Sequence, residues 1–145
     1  IPVVYYGSEI GFRRGLGEHA GNRDYYGQDK VDWGVSHPIR QALIDIAQVR
    51  KRSVALQRGV QINDTFATDT ASFIRAYQDE SVSELALVFL NKSSEPRSVS
   101  LTVPYACNYK EALTGQEVMR EQGAWSQQLE PNSVAVWFCS SPFVL

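Results

Sequence analysis

From Val60 onward, apolar and polar residues alternate and turn-forming clusters recur at short intervals, and no other feature constrains the fold of the 145-residue chain as tightly. A period of two sends successive side chains to opposite faces of a strand, so each segment can bury one face and wet the other. The alternation predicts strands at Phe73–Tyr77, Leu85–Asn91, Val99–Val103, Tyr109–Ala112, Ser126–Leu129 and Val134–Cys139. The breaks between them, Gln78–Ser83, Lys92–Arg97, Leu113–Gln116 and Glu130–Asn132, are polar. Short strands with regular turns and no intervening helices are expected to build an antiparallel sandwich.

The first part of the chain follows another pattern. Ile1–Tyr6 is an apolar, β-branched and aromatic run that stops at Gly7 and is followed by Ser8 and Glu9. Such a run reads as a strand buried on both faces, as in parallel sheets. A long loop to Gly34 carries Tyr25, Tyr26 and Trp33 among its glycines. Loops of this length are usually functional or disordered, and the aromatics favour function. Ser36 can cap the next helix, with Pro38 in its first turn. Ile39, Ala42, Leu43, Ile46, Val49 and Arg50 then form one stripe at helical spacing. The helix is expected to stop near Val54–Leu56, before Gly59.

Composition excludes several classes. Hydrophobic residues make up 43% and charged residues 21%, and the net charge is −2, which offers no footprint for nucleic acid or an anionic membrane. No apolar run approaches the roughly 18 residues of a membrane helix. The two histidines, His19 and His37, have no clustered partners, so no zinc site is expected, and the sequence calls for no cofactor. Cys107 and Cys139 read as two free thiols, Cys139 being a small core residue of the last strand. A disulfide between them would instead suit a periplasmic or secreted parent. Asn63-Asp64-Thr65 and Asn91-Lys92-Ser93 match the glycosylation acceptor pattern, which short chains match by chance.

Four segments, in order, resemble the C-terminal third of α-amylases, cyclodextrin glucanotransferases and related α-glucan enzymes. Ile1-Pro2-Val3-Val4-Tyr5-Tyr6-Gly7-Ser8-Glu9 is similar to the last barrel strand of that family. Gly21-Asn22-Arg23 resembles the end of its Asp-Pro-x-Asn-Arg loop. Val49-Arg50 through Val54-Ala55-Leu56 and Gly59 resembles its helix exit, and Asn132-Ser133-Val134-Ala135-Val136-Trp137 its closing domain C strand. The chain departs from the pattern at His19-Ala20, where Asp-Pro is usual, and at Val54, where proline is usual. The resemblance implies a mainly β chain. Residues 1–59 would be the last strand–loop–helix unit of a (β/α)₈ barrel, and residues 60–145 a Greek-key, domain C-like antiparallel β-sandwich. It implies a parent enzyme that hydrolyses or transfers α-glucosidic bonds, with the chain beginning just inside the final barrel strand.

The same resemblance places the family's catalytic carboxylates on earlier strands, so no catalytic residue is assigned. Glycoside hydrolysis needs two carboxylates flanking the bond. Glu9 alone cannot supply them and is expected to brace the loop. Arg23 is the foremost candidate for substrate contact, beside Asn22, because a guanidinium offers a rigid fork of donors to vicinal hydroxyls. A loop salt bridge to Asp24 or Glu18 is the alternative. His19 could replace the loop aspartate as a hydrogen-bonding partner for sugar. Trp125 could serve as a surface platform, which a stand-alone carbohydrate-binding module would need, whereas Trp137 reads as core. A purely structural accessory sandwich is the remaining reading. The expected partner is an α-glucan, reached through the parent, and the unpaired strand at residues 1–9 could join a homo-oligomer.

Overall fold

The computed structural model describes Val4, residues 7–11 and residues 36–140. The predicted first strand lies mostly outside the described residues, and the aromatic loop lies almost wholly outside them. The chain divides into two compact units, residues 1–48 and 49–145.

In the first unit, Gly7 (φ 88°) and Gly11 (φ 63°) flank a short 3₁₀ turn, Ser8–Ile10. Both adopt the left-handed conformation that only glycine enters without a Cβ penalty. The first long helix, α1, runs Pro38–Lys51. Its N-cap position falls to His37, one residue beyond the expected Ser36. The His37 Nδ1 accepts a hydrogen bond from the Ile39 amide at 3.2 Å. The predicted apolar stripe forms but is largely uncovered, with Ile39 43% and Ile46 54% exposed, whereas Val49 is buried.

The helix ends earlier than the spacing suggested. At Ser53 the backbone turns extended (φ −122°, ψ 117°), and a second helix, α2, spans Val54–Arg58. The apolar period runs on across the break, so it could not reveal the break. The side chains do: the Ser53 hydroxyl accepts from the Leu56 amide at 3.0 Å. Gln57 Nε2 donates to the carbonyls of Arg50 and Lys51 at 3.1 and 3.0 Å, satisfying the open end of α1.

Eight strands follow: β1 Val60–Phe66, β2 Thr70–Gln78, β3 Ser83–Asn91, β4 Arg97–Val103, β5 Cys107–Glu111, β6 Glu117–Arg120, β7 Gly123–Leu129 and β8 Ser133–Cys139. Six form one antiparallel sheet in the order β1-β2-β3-β8-β5-β6, and β4 pairs with β7 in a second. Each of the six predicted strands is present, lengthened at one or both ends except β5, which starts two residues earlier and stops at Glu111, one short of the expected Ala112. The two unpredicted strands, β1 and β6, sit at the edges of the larger sheet. β1 is exposed at every position, so it has no buried face to impose alternation.

The core lies between the sheets. Leu85, Leu87 and Phe89 of β3 meet Val99, Leu101 and Val103 of β4, with Trp125, Leu129, Tyr109 and Trp137 filling the remainder. Trp125 is not a surface platform. It is 5% exposed, with its ring 5.5 Å from Phe89 and 4.9 Å from Trp137. Alternation explains the correction, since Trp125 lies opposite Leu101, whose side chain points inward. Buried polar groups are tied down as well. Ser72 donates to the Ser100 carbonyl at 2.7 Å, bridging the sheets. Asn91, 2% exposed, donates to the carbonyls of Glu95 and Glu130, each at 2.9 Å.

Cys107 and Cys139 are not free thiols but a disulfide, with their Cα atoms 6.3 Å apart. β5 and β8 are neighbours, and both side chains point into the core. Spacing along the chain could not reveal this, because the pairing that joins β5 to β8 is made by tertiary structure.

Candidate functional site

On the outer face of the large sheet, Asn108 and Lys110 of β5 point away from the core. A groove of about 620 Å³ opens there, lined by Arg52, Glu84, Phe138, the β5–β6 hairpin and Ser140. It is assembled from three places. Arg52 comes from the α1–α2 junction, and its guanidinium donates to the Ala112 carbonyl at 2.8 Å. Glu84 opens β3. Asn108, Lys110 and Phe138 alternate outward from β5 and β8, with Lys110 directly opposite Phe138.

Three carboxylates line this groove, and each is already engaged. Glu84 Oε1 accepts from the Ala55 amide at 3.0 Å and from the Ser53 hydroxyl, which seats an acceptor for an open amide at the start of α2. Glu111 is buried, and its Oε2 accepts from the amides of Leu113 and Thr114 at 2.8 and 2.6 Å and from the Thr114 hydroxyl at 2.9 Å. It holds the β5–β6 turn, in which Gly115 takes φ 74°. Glu117 accepts from Lys110 Nζ and Asn108 Nδ2, both at 3.2 Å. The Lys110 hydrogen bond, then that of Asn108, holds the Glu117 carboxyl below the usual carboxylate range.

A glycosidase acid must be proton-loaded near neutral pH, which burial without donors achieves. Glu117 has the opposite environment, exposed and hydrogen-bonded to Lys110 and Asn108. The three groove carboxylates are thus each held by donors of the chain itself. Glu9, the other carboxylate weighed from the sequence, is half-buried in the 3₁₀ turn between Gly7 and Gly11. His19, Asn22 and Arg23, together with Tyr5, Tyr6, Tyr25, Tyr26 and Trp33, lie outside the described residues.

Sequence reasoning missed the roles of Ser53, Glu84 and Glu111. Ser53 carried a signal, a capping residue directly before Val54-Ala55-Leu56. Glu84 carried none, because it meets the helix only across 29 positions of chain.

No protein-family model matches the chain. No curated protein matches it either. Solved structures do. The chain is similar to an α-amylase from Geobacillus thermoleovorans, solved with acarbose, at TM-score 0.75 and 25% identity, over 95% of this chain and 29% of that one. An Anoxybacillus α-amylase aligns with 100% of this chain and 30% of its own at TM-score 0.74 and 20% identity. The cyclomaltodextrin glucanotransferase CldA aligns at TM-score 0.67 and 22% identity, over 97% of this chain and 29% of that chain. The chain thus spans about 30% of the length of the α-amylases and the glucanotransferase it resembles. Its fold is the mainly antiparallel β arrangement that the sequence motifs implied.

Proposed function

We propose that this chain is the C-terminal part of an α-glucan-acting glycoside hydrolase or transglycosylase. Residues 1–59 supply the last β/α unit of its barrel and residues 60–145 its domain C sandwich. The observation that carries this reading is the alignment of 95% of the chain with an acarbose-bound α-amylase at TM-score 0.75. The engaged carboxylates of the outer groove support its second half, that the chain alone has no complete active site.

In this reading the substrate is an α-glucan held by the parent enzyme, with Arg23, Asn22 and His19 as its contacts from this chain. The sandwich itself is structural. Burial of Trp125 removes the aromatic platform on which a stand-alone carbohydrate-binding role depended. A chromogenic maltooligosaccharide tests both halves. The isolated chain should release no more chromophore than a heat-killed control, and the longer enzyme containing it should be active. Within that enzyme, Arg23→Ala should raise KM while leaving the sandwich's stability unchanged. Turnover by the isolated chain that vanishes on Glu9→Gln would refute the reading.

A further inference from the structure

The disulfide joins the most weakly laddered seam of the large sheet. β3 and β8 are registered from Leu85↔Cys139 to Asn91↔Ser133. Among the described residues, β5 and β8 are registered only at Lys110↔Phe138 and Glu111↔Trp137. Beyond that seam, β5 and the β6 edge strand paired to it join the rest of the sheet through those two positions, the Ala112 amide bonded to the Val136 carbonyl at 2.8 Å, and the Cys107–Cys139 bond. Both cysteines are buried, at 5% and 2% exposure, so the bond is shielded from reductant in the folded state.

We propose that this cross-link is a structural requirement of the sandwich, so that the folded protein belongs to an oxidising compartment. Closing it removes two electrons and two protons from the thiols of Cys107 and Cys139. A dithiol–disulfide oxidant takes them up, and its own disulfide becomes two thiols. Compartments that hold such oxidants keep buried disulfides, whereas the cytosol of mesophiles keeps thiols reduced. The bond closes a loop of sequence separation 32. Chain entropy for a loop of that size shifts the folding equilibrium on the order of 10²–10³-fold toward the native state. This inference is independent of the enzyme class proposed above.

The test compares the whole chain recovered from an exporting and a non-exporting host, each denatured in alkylating reagent without reductant. The exported chain should carry no alkyl group, and the cytosolic chain two. Urea unfolding should then give the cytosolic chain a folding equilibrium lower by 10²–10³-fold, matching that of a Cys107→Ala/Cys139→Ala variant. Amide exchange in the reduced chain should rise first at Cys107–Arg120 and later in β2 and β3. Two alkyl groups on the exported chain overturn the proposal. Equal urea midpoints for the oxidised chain, the reduced chain and the double variant overturn it as well.

Discussion

Asp79 shows how one side chain can set a turn. Its Oδ1 accepts from the amides of Ser81 and Val82, each at 2.8 Å, and its Oδ2 accepts from the Tyr77 hydroxyl at 2.8 Å. This is an Asx-type arrangement closing the β2–β3 hairpin. The Ser81 amide, followed by the Tyr77 hydroxyl, lowers the carboxyl to about 2 from its ordinary 3.8. The stabilising contribution is therefore complete above about pH 4 and is lost as pH falls toward 2. A carbon-detected titration should place Asp79 near 2, with the Ser81 and Val82 amides shifting alongside, and a midpoint near 4 would contradict the geometry. Tyr109 responds at the other extreme. Burial raises its hydroxyl to about 12 while it donates to the Tyr105 carbonyl at 3.1 Å. Its contribution is present below pH 10 and fades as pH rises toward 12. Stability should decline across that window, and less steeply in Tyr109→Phe.

The junction of α1 and α2 is where two helices with one apolar period become two separate elements. Gly59 follows α2 with φ −62° and ψ 158°, a conformation open to any residue. Glycine is required there for a different reason. A Cβ would lie 2.6 Å from the carbonyl oxygens of both Ala55 and Ala76, and neither backbone can yield alone. Gly59→Ala should cost about 1–3 kcal/mol through overpacking, read as a lower urea midpoint. An unchanged midpoint would mean that α2 can slide on β2. Val54 offers the reverse experiment. It is the first residue of α2, where proline's fixed φ fits and its missing amide costs nothing, and Ser53 before it is already extended. Val54→Pro should stabilise by about 0.4–1 kcal/mol by restricting the unfolded chain. A loss of stability would show that the Val54 side chain packs better than its position suggests.

At the scale of the molecule, a sandwich with a buried core follows a helix and the short 3₁₀ turn Ser8–Ile10. Val4, in the segment that resembles a barrel strand, is 54% exposed. Apolar groups left in water favour association, at about 25 cal/mol per Å² buried. We expect the isolated chain to self-associate through residues 1–9, as the opening strand suggested. Sedimentation of the chain at high concentration, beside one beginning at Ser36, should show a larger species for the longer protein alone. Two monomers at equal concentration would mean that the strand finds its pairing within its own chain.

Local pattern was enough to reveal six of the eight strands, the turns between them and the apolar stripe of α1. Each of those has a face that must be dry or a turn that must be tight, and such demands repeat at short range. Edge strands β1 and β6 left no trace because nothing covers them enough to demand alternation. The apolar stripe runs on unbroken across the helix break, whose one local signal was the capping residue Ser53. The burial of Trp125, the capping of α2 by Glu84 and the pairing of Cys107 with Cys139 were decided only when strands distant in sequence came together. Contacts of that kind depend on which strands become neighbours, and the order β3-β8-β5 is a property of the assembled sheet.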